Sequence, residues 1–133
     1  MLPRFAPLLL VVVALAGCGT PSFADRVSSL STALQIANKQ YNAAGPTSLA
    51  ATGSACAAAA SALQAVTIPA SIPKNASFRQ VAVIHAFQSA RRGYSACARA
   101  APRLSYTGMV SATREIAQAN SWIGRAMMGP SGH

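Results

Sequence analysis

Residues 83–102 read VIHAFQSARRGYSACARAAP. Val83, Phe87, Ala90, Tyr94, Cys97 and Ala101 recur at steps of four and three, and Pro102 stops the run. That spacing gathers one apolar stripe on an α-helix. It does not fit a strand, whose faces alternate at every residue. His85, Arg92 and Arg99, spaced by sevens, fall on the opposite face, where a solvated surface is expected.

The same period continues on both sides of this stretch. Phe23, Val27, Leu30, Leu34, Ala37 and Tyr41 form a seam over residues 23–44, with Ser22 and Asp25 as a capping signal and Gly45-Pro46 as the stop. Over 48–66 the seam is Leu49, Gly53, Cys56, Ala60 and Leu63, ended by Pro69 and Pro73. The opening run belongs to a third helix over 76–101. A fourth, over 105–128, shows Tyr106, Met109, Thr113, Ile116, Asn120, Ile123 and Met127 as its core stripe before Gly129-Pro130. No strand alternation appears after residue 22. Four singly striped segments, with short first and third connections, predict an all-α, antiparallel up-down-up-down four-helix bundle over 23–128. Residues 129–133, ending in His133, are expected to form a flexible tail.

Composition narrows the setting. With 133 residues the chain makes one domain with a modest core. Hydrophobic residues make up 52% of it and aromatics only 6%. Much of the apolar content is alanine, which buries little area per residue, so a covalent brace would help. Eleven Lys and Arg face only Asp25 and Glu115, a net charge of +9. Such a balance favours anionic partners: phospholipid headgroups, an acidic polymer or nucleic acid.

The N-terminus chooses among these. MLPRF supplies Arg4, and residues 6–16 form an apolar run of signal-peptide length, short of the roughly 20 residues a membrane span needs. The run ends in Leu15-Ala16-Gly17-Cys18. This resembles the lipobox of bacterial lipoproteins, in which a branched apolar residue and two small ones precede a cysteine. The resemblance implies a signal peptide over 1–17, removed after a diacylglyceryl group is attached to the Cys18 sulfur. It also implies a lipidated N-terminus and short linker over 18–22, and anchoring on the extracytoplasmic side of the cell membrane. The alternative is ordinary cleavage after Ala24 in SFAD, which would release a secreted protein without Cys18. Either route exports the chain, so nucleic acid is not an expected partner. In size and pattern the domain resembles small alanine-rich lipoproteins of GC-rich bacteria.

Export also bears on the cysteines. Three is an odd count, but committing Cys18 to lipid leaves Cys56 and Cys97 to pair. Two buried thiols would also pack, yet an oxidising compartment favours the disulfide. Counted from the loop between helices 2 and 3, the two cysteines differ in level by roughly 16 Å; from the opposite end they differ by roughly 6 Å. The difference is reconciled if helix 3 overhangs helix 2 and the proline-containing loop reaches across.

Little here points to catalysis. Asp25, Glu115 and His85 are too few and too scattered to pair a base with a nucleophile, and no phosphate loop or zinc motif is visible. The reading is of a non-enzyme with no cofactor beyond the lipid on Cys18. His85 as a haem or metal ligand lacks a second strong ligand, and Met109 and Met127 read as packing. Tyr41, Tyr94 and Tyr106 fall near the end distant from the anchor, where their hydroxyls rim a pocket or simply reach water. Trp122 lies away from the core stripe of its helix. It either covers an alanine-rich groove between helices or contacts a membrane or partner. Antiparallel topology gathers Trp122, Arg125, Lys74, Phe78, Arg79 and Arg26 at the anchored end, beside anionic lipid. The expected function is binding at the cell envelope through exposed helix faces, to headgroups, an envelope protein or an acidic polymer. The alternative is carriage of a small apolar ligand, which a cavity of about 300 Å3 or more between helices would favour.

Overall fold

Each helix begins where a short polar side chain can satisfy the free amides of its first turn. The computed structural model describes residues 21–43 and 48–129. Helix α1 spans Phe23–Ala43, and Ser22 and Asp25 cap it reciprocally: the Ser22 amide donates to Asp25 Oδ2 at 3.3 Å and the Asp25 amide to Ser22 Oγ at 3.1 Å. Helix α2 spans Leu49–Gln64, with Ser48 Oγ accepting from the Ala51 amide. Helix α3 spans Phe78–Ala100 behind a Ser77–Gln80 capping box, which sets its start slightly after the expected residue 76. Helix α4 spans Tyr106–Met128, begins at Ser105 and ends at Gly129, whose φ of 83° suits glycine. No strand occurs among the described residues.

The stripes of α1, α2 and α3 meet in one core, except for Leu49 at the start of α2, which is 40% exposed. Val27, Leu30, Ala33 and Ala37 pack against Cys56, Ala59, Ala60 and Leu63, and against Ile84, Phe87, Ala90 and Tyr94. Phe87 and Leu30 are the largest fully buried side chains. Across this core runs the Cys56–Cys97 disulfide, joining α2 to α3 with Cα atoms 5.8 Å apart. Closing a loop of 41 residues, it contributes about 3–4 kcal/mol in the chain-entropy account. From that bond α2 continues to Gln64, while α3 runs back about 11 residues further to Phe78, roughly 16 Å at about 1.5 Å per residue. Helix α3 therefore overhangs α2, as the cysteine levels required, and residues 65–77 span the difference.

Helix α4 departs from the expected packing. Among the described residues it packs along α3 and along no other helix. Its buried positions are Ala112, Ala119 and Ala126, not the stripe of larger residues. Tyr106 and Met127, expected in the core, are 82% and 75% exposed; Thr113 and Asn120 are exposed too, and Met109, Ile116 and Ile123 are half-buried. The reason lies on α3, which carries a second face of small residues beside its core stripe: Ala82, Ala86, Ser89, Gly93 and Ala100, all buried. Two faces of small side chains allow a closer approach than Ile against Phe, and dispersion grows with each added contact. The register is antiparallel throughout. Gly108 meets Ala100, Ile116 meets Gly93, Trp122 meets His85 and the Ala126 carbonyl meets Arg79.

Gly93 marks the tightest part of this approach. A Cβ there would stand 2.7 Å from Ile116 Cγ1 and 3.0 Å from the Ile116 backbone nitrogen, which cannot rotate away. Gly93→Ala should destabilise the fold by about 1–2 kcal/mol net, because overpacking outweighs the gain in helix propensity. Gly124→Ala, with nothing within 4 Å of the new atom, should stabilise it by about 0.5–1 kcal/mol. Urea unfolding of the two variants checks the pair; equal shifts would refute the close α3–α4 contact.

Candidate functional site: an apolar groove and a basic end

Because α4 sits on α3 alone, a groove stays open between α1 and α4 with α3 as its floor. Its volume is about 620 Å3. Val83, Ala90 and Tyr94 form the floor, and Ile116, Ile123 and Met127 line the α4 wall. The α1 wall is mixed, Leu34 standing among Ser31, Gln35 and Asn38. The residues read as the core stripe of α4 are thus largely the lining of a cleft. At one end stands Arg79, the only charged residue in the lining among the described residues. Its Nε donates to the Ala126 carbonyl at 3.0 Å, which ties the start of α3 to the end of α4.

At the other end Tyr94 meets Tyr41, ring centroids 5.5 Å apart. Burial pushes the Tyr94 hydroxyl above its ordinary pKa of 10.0, and the neighbouring Tyr41 adds to the shift. The structure joins these two tyrosines at the groove, whereas Tyr106 stands apart in solvent. Leu104 lies beside it in the turn, 74% exposed with a φ of 54°.

Trp122 is not a free outward side chain. Its ring stacks on His85 of α3 at 4.6 Å, and the Arg125 guanidinium lies 4.8 Å from its centre. Stacked there, Trp122 bridges α4 to α3 through His85. His85 is correspondingly half-buried, not on a solvated face. The sequence signal for this pair was available: residues 85 and 122 are nearly equidistant from the turn between α3 and α4. Nearby, Arg92 pairs with Glu115 at 3.3 Å; both are well exposed, so the pair is worth at most about 1 kcal/mol.

The remaining expected contact residues share one end of the bundle. Lys74 lies in the loop before α3, Phe78 and Arg79 in the first turn of α3, and Arg125 in the last turn of α4, with Arg26 in the first turn of α1. Phe78 and Lys74 are exposed. Sequence reasoning missed three apolar companions at this end, Ile72, Met127 and Met128, which are 44%, 75% and 65% exposed. Met127 was assigned to the core stripe, and Ile72 carried no periodic signal. Cys18 lies outside the described residues. No family model matches the chain, and no curated protein and no solved structure matches it.

The raised Tyr94 value has a consequence for alkaline stability. A folded-state pKa above the unfolded one favours the neutral hydroxyl, so its contribution is complete below about pH 10 and is lost as pH rises through the folded value. Tyr94→Phe should therefore move alkaline unfolding to higher pH. Ultraviolet titration should show one phenol ionising later than the others until the chain unfolds. Three tyrosines titrating together at the ordinary pKa would contradict the burial of Tyr94.

Proposed function

We propose that this chain is a lipid-anchored binding protein of the cell envelope, held by a diacylglyceryl group on Cys18 and acting without catalysing a reaction. The observation that carries the reading is the composition of one end of the bundle. Exposed Ile72, Phe78, Met127 and Met128 stand there with Lys74, Arg79, Arg125 and Arg26, at the end where α1 begins. Only a few residues separate that end from Cys18. Exposed large apolar side chains gathered among cations suit the boundary between anionic headgroups and acyl chains. Charge supports the same reading: Arg4 is the only basic residue before Arg26, so the mature chain keeps nearly all of the +9.

The non-enzymatic part of the proposal is supported by the occupation of the few catalytic candidates. Asp25 caps α1, Glu115 pairs with Arg92, and His85 stacks on Trp122, at three separate places. The lipid and the basic end supply two signals for membrane attachment. A second reading, carriage of a small apolar ligand, is favoured by the α1–α4 groove, whose 620 Å3 exceeds the lower bound of about 300 Å3 for such sites.

Two measurements test the anchor and the end separately. Cys18→Ala should abolish incorporation of radiolabelled palmitate in cells; continued labelling would refute the lipid assignment. The mature chain, residues 18–133 with Cys18→Ser, should sediment with phosphatidylglycerol-containing vesicles at low salt and not with phosphatidylcholine vesicles. Replacing Lys74 and Arg125 with Ala should weaken this by up to about 1 kcal/mol each. Raised salt should release the chain, since screening acts over about 8 Å at physiological strength. Equal binding to both vesicle types would remove the electrostatic role of this end.

A further inference from the structure

We infer that the α1–α4 groove binds one long-chain fatty acid, its carboxylate on Arg79 and its chain running over Val83 toward Ala90 and Tyr94. This rests on reading the groove as a ligand site and names the chemistry of the ligand.

Charge is the first argument. Among the described residues Arg79 is the only charged one lining the groove. Both acidic side chains of the chain are engaged elsewhere, Asp25 in the α1 cap and Glu115 with Arg92, so no carboxylate side chain neutralises Arg79. Its Nε is held by the Ala126 carbonyl, which fixes the guanidinium at the mouth of the groove. Among the described residues its terminal nitrogens make no hydrogen bond, and they present the paired donors that a planar carboxylate accepts. One fixed cation matches a monoanion. A cationic amphiphile would be repelled.

Shape is the second argument. From Arg79 to Tyr94 the floor covers about 15 residues of α3, roughly 22 Å at about 1.5 Å per residue. An acyl chain in a membrane spans half of a hydrocarbon core about 30 Å thick, so about 15 Å. The groove holds that length with room for the head. Its apolar groups, Val83, Ala90, Leu34, Ile116, Ile123 and Met127, leave the far end to the buried Tyr94. The charged mouth lies at the same end as Phe78 and Met128, where a membrane would deliver such a molecule.

The test uses the mature chain with Cys18→Ser and a fluorescent polyene fatty acid as the probe. Palmitate should displace it at one site per chain, and hexadecylamine should compete at least about tenfold more weakly. Arg79→Gln should weaken palmitate about tenfold while leaving hexadecanol within about twofold, and Arg79→Lys should recover part of the loss. Asn120→Trp, which fills the groove from an exposed position on α4, should abolish probe binding without changing the melting transition. If palmitate, hexadecanol and hexadecylamine compete equally and Arg79→Gln changes nothing, the carboxylate assignment is wrong and the groove reading survives. If Asn120→Trp leaves palmitate binding intact, the acid binds elsewhere. If the folded chain binds no probe at all, the fatty-acid and carrier readings fall together, and membrane binding by the basic end is unaffected.

Discussion

The contact between Gly93 and Ile116 governs the rest of the architecture. With no side chain at 93, α4 approaches α3 until the Ile116 backbone would stand 3.0 Å from any added Cβ. Ala112, Ala119 and Ala126 repeat the close fit along α4, and Gly108 against Ala100 completes it near the turn. A helix that docks by its smallest side chains turns its larger ones elsewhere. Ile123 and Met127 line the space beside α1, Ile116 stands between that space and Gly93, and the groove is the direct result.

A core rich in alanine gains little from area burial, so the fold depends on a few larger anchors and on a covalent tie. Phe87, Leu30, Leu63 and Ile84 supply the anchors. The Cys56–Cys97 bond sets the level of α2 against α3 and thereby the length of the overhang. That overhang shapes one end of the bundle. It leaves the first turns of α3 beyond the end of α2, where Arg79 reaches across to the Ala126 carbonyl and Phe78 stays exposed.

Much of this was legible in the residues. The stripes of α1 and α3 each had one set of large side chains at helical spacing, so period alone identified the buried face. The disulfide followed from the odd cysteine count and the seam positions, and the overhang followed from their levels. Helix α4 was ambiguous for a physical reason. Ala112, Ala119 and Ala126 recur with the same period as Met109, Ile116 and Ile123, so the sequence carries two stripes of equal regularity. Which stripe is buried depends on the partner face, and the small-residue face of α3 was hidden beside its more hydrophobic one. The groove was illegible for the same reason, since it consists of residues that looked like core. The His85–Trp122 stack is legible only when both helices are counted from their shared turn in the antiparallel register.

The basic apolar end and the groove whose charged mouth opens there are consistent with the lipid anchor and membrane-surface binding proposed above. All of it requires that α4 bury Ala112 while Ile123 and Met127 line the groove. Cysteine accessibility measures this most directly, using Ala112→Cys and Ile123→Cys placed singly in the mature chain with Cys18→Ser and the native disulfide intact. A small thiol reagent should modify Ile123→Cys rapidly under native conditions and Ala112→Cys only on unfolding. Equal protection of both positions would mean that α4 is covered on both faces, and a closed bundle without the groove would replace the architecture described above.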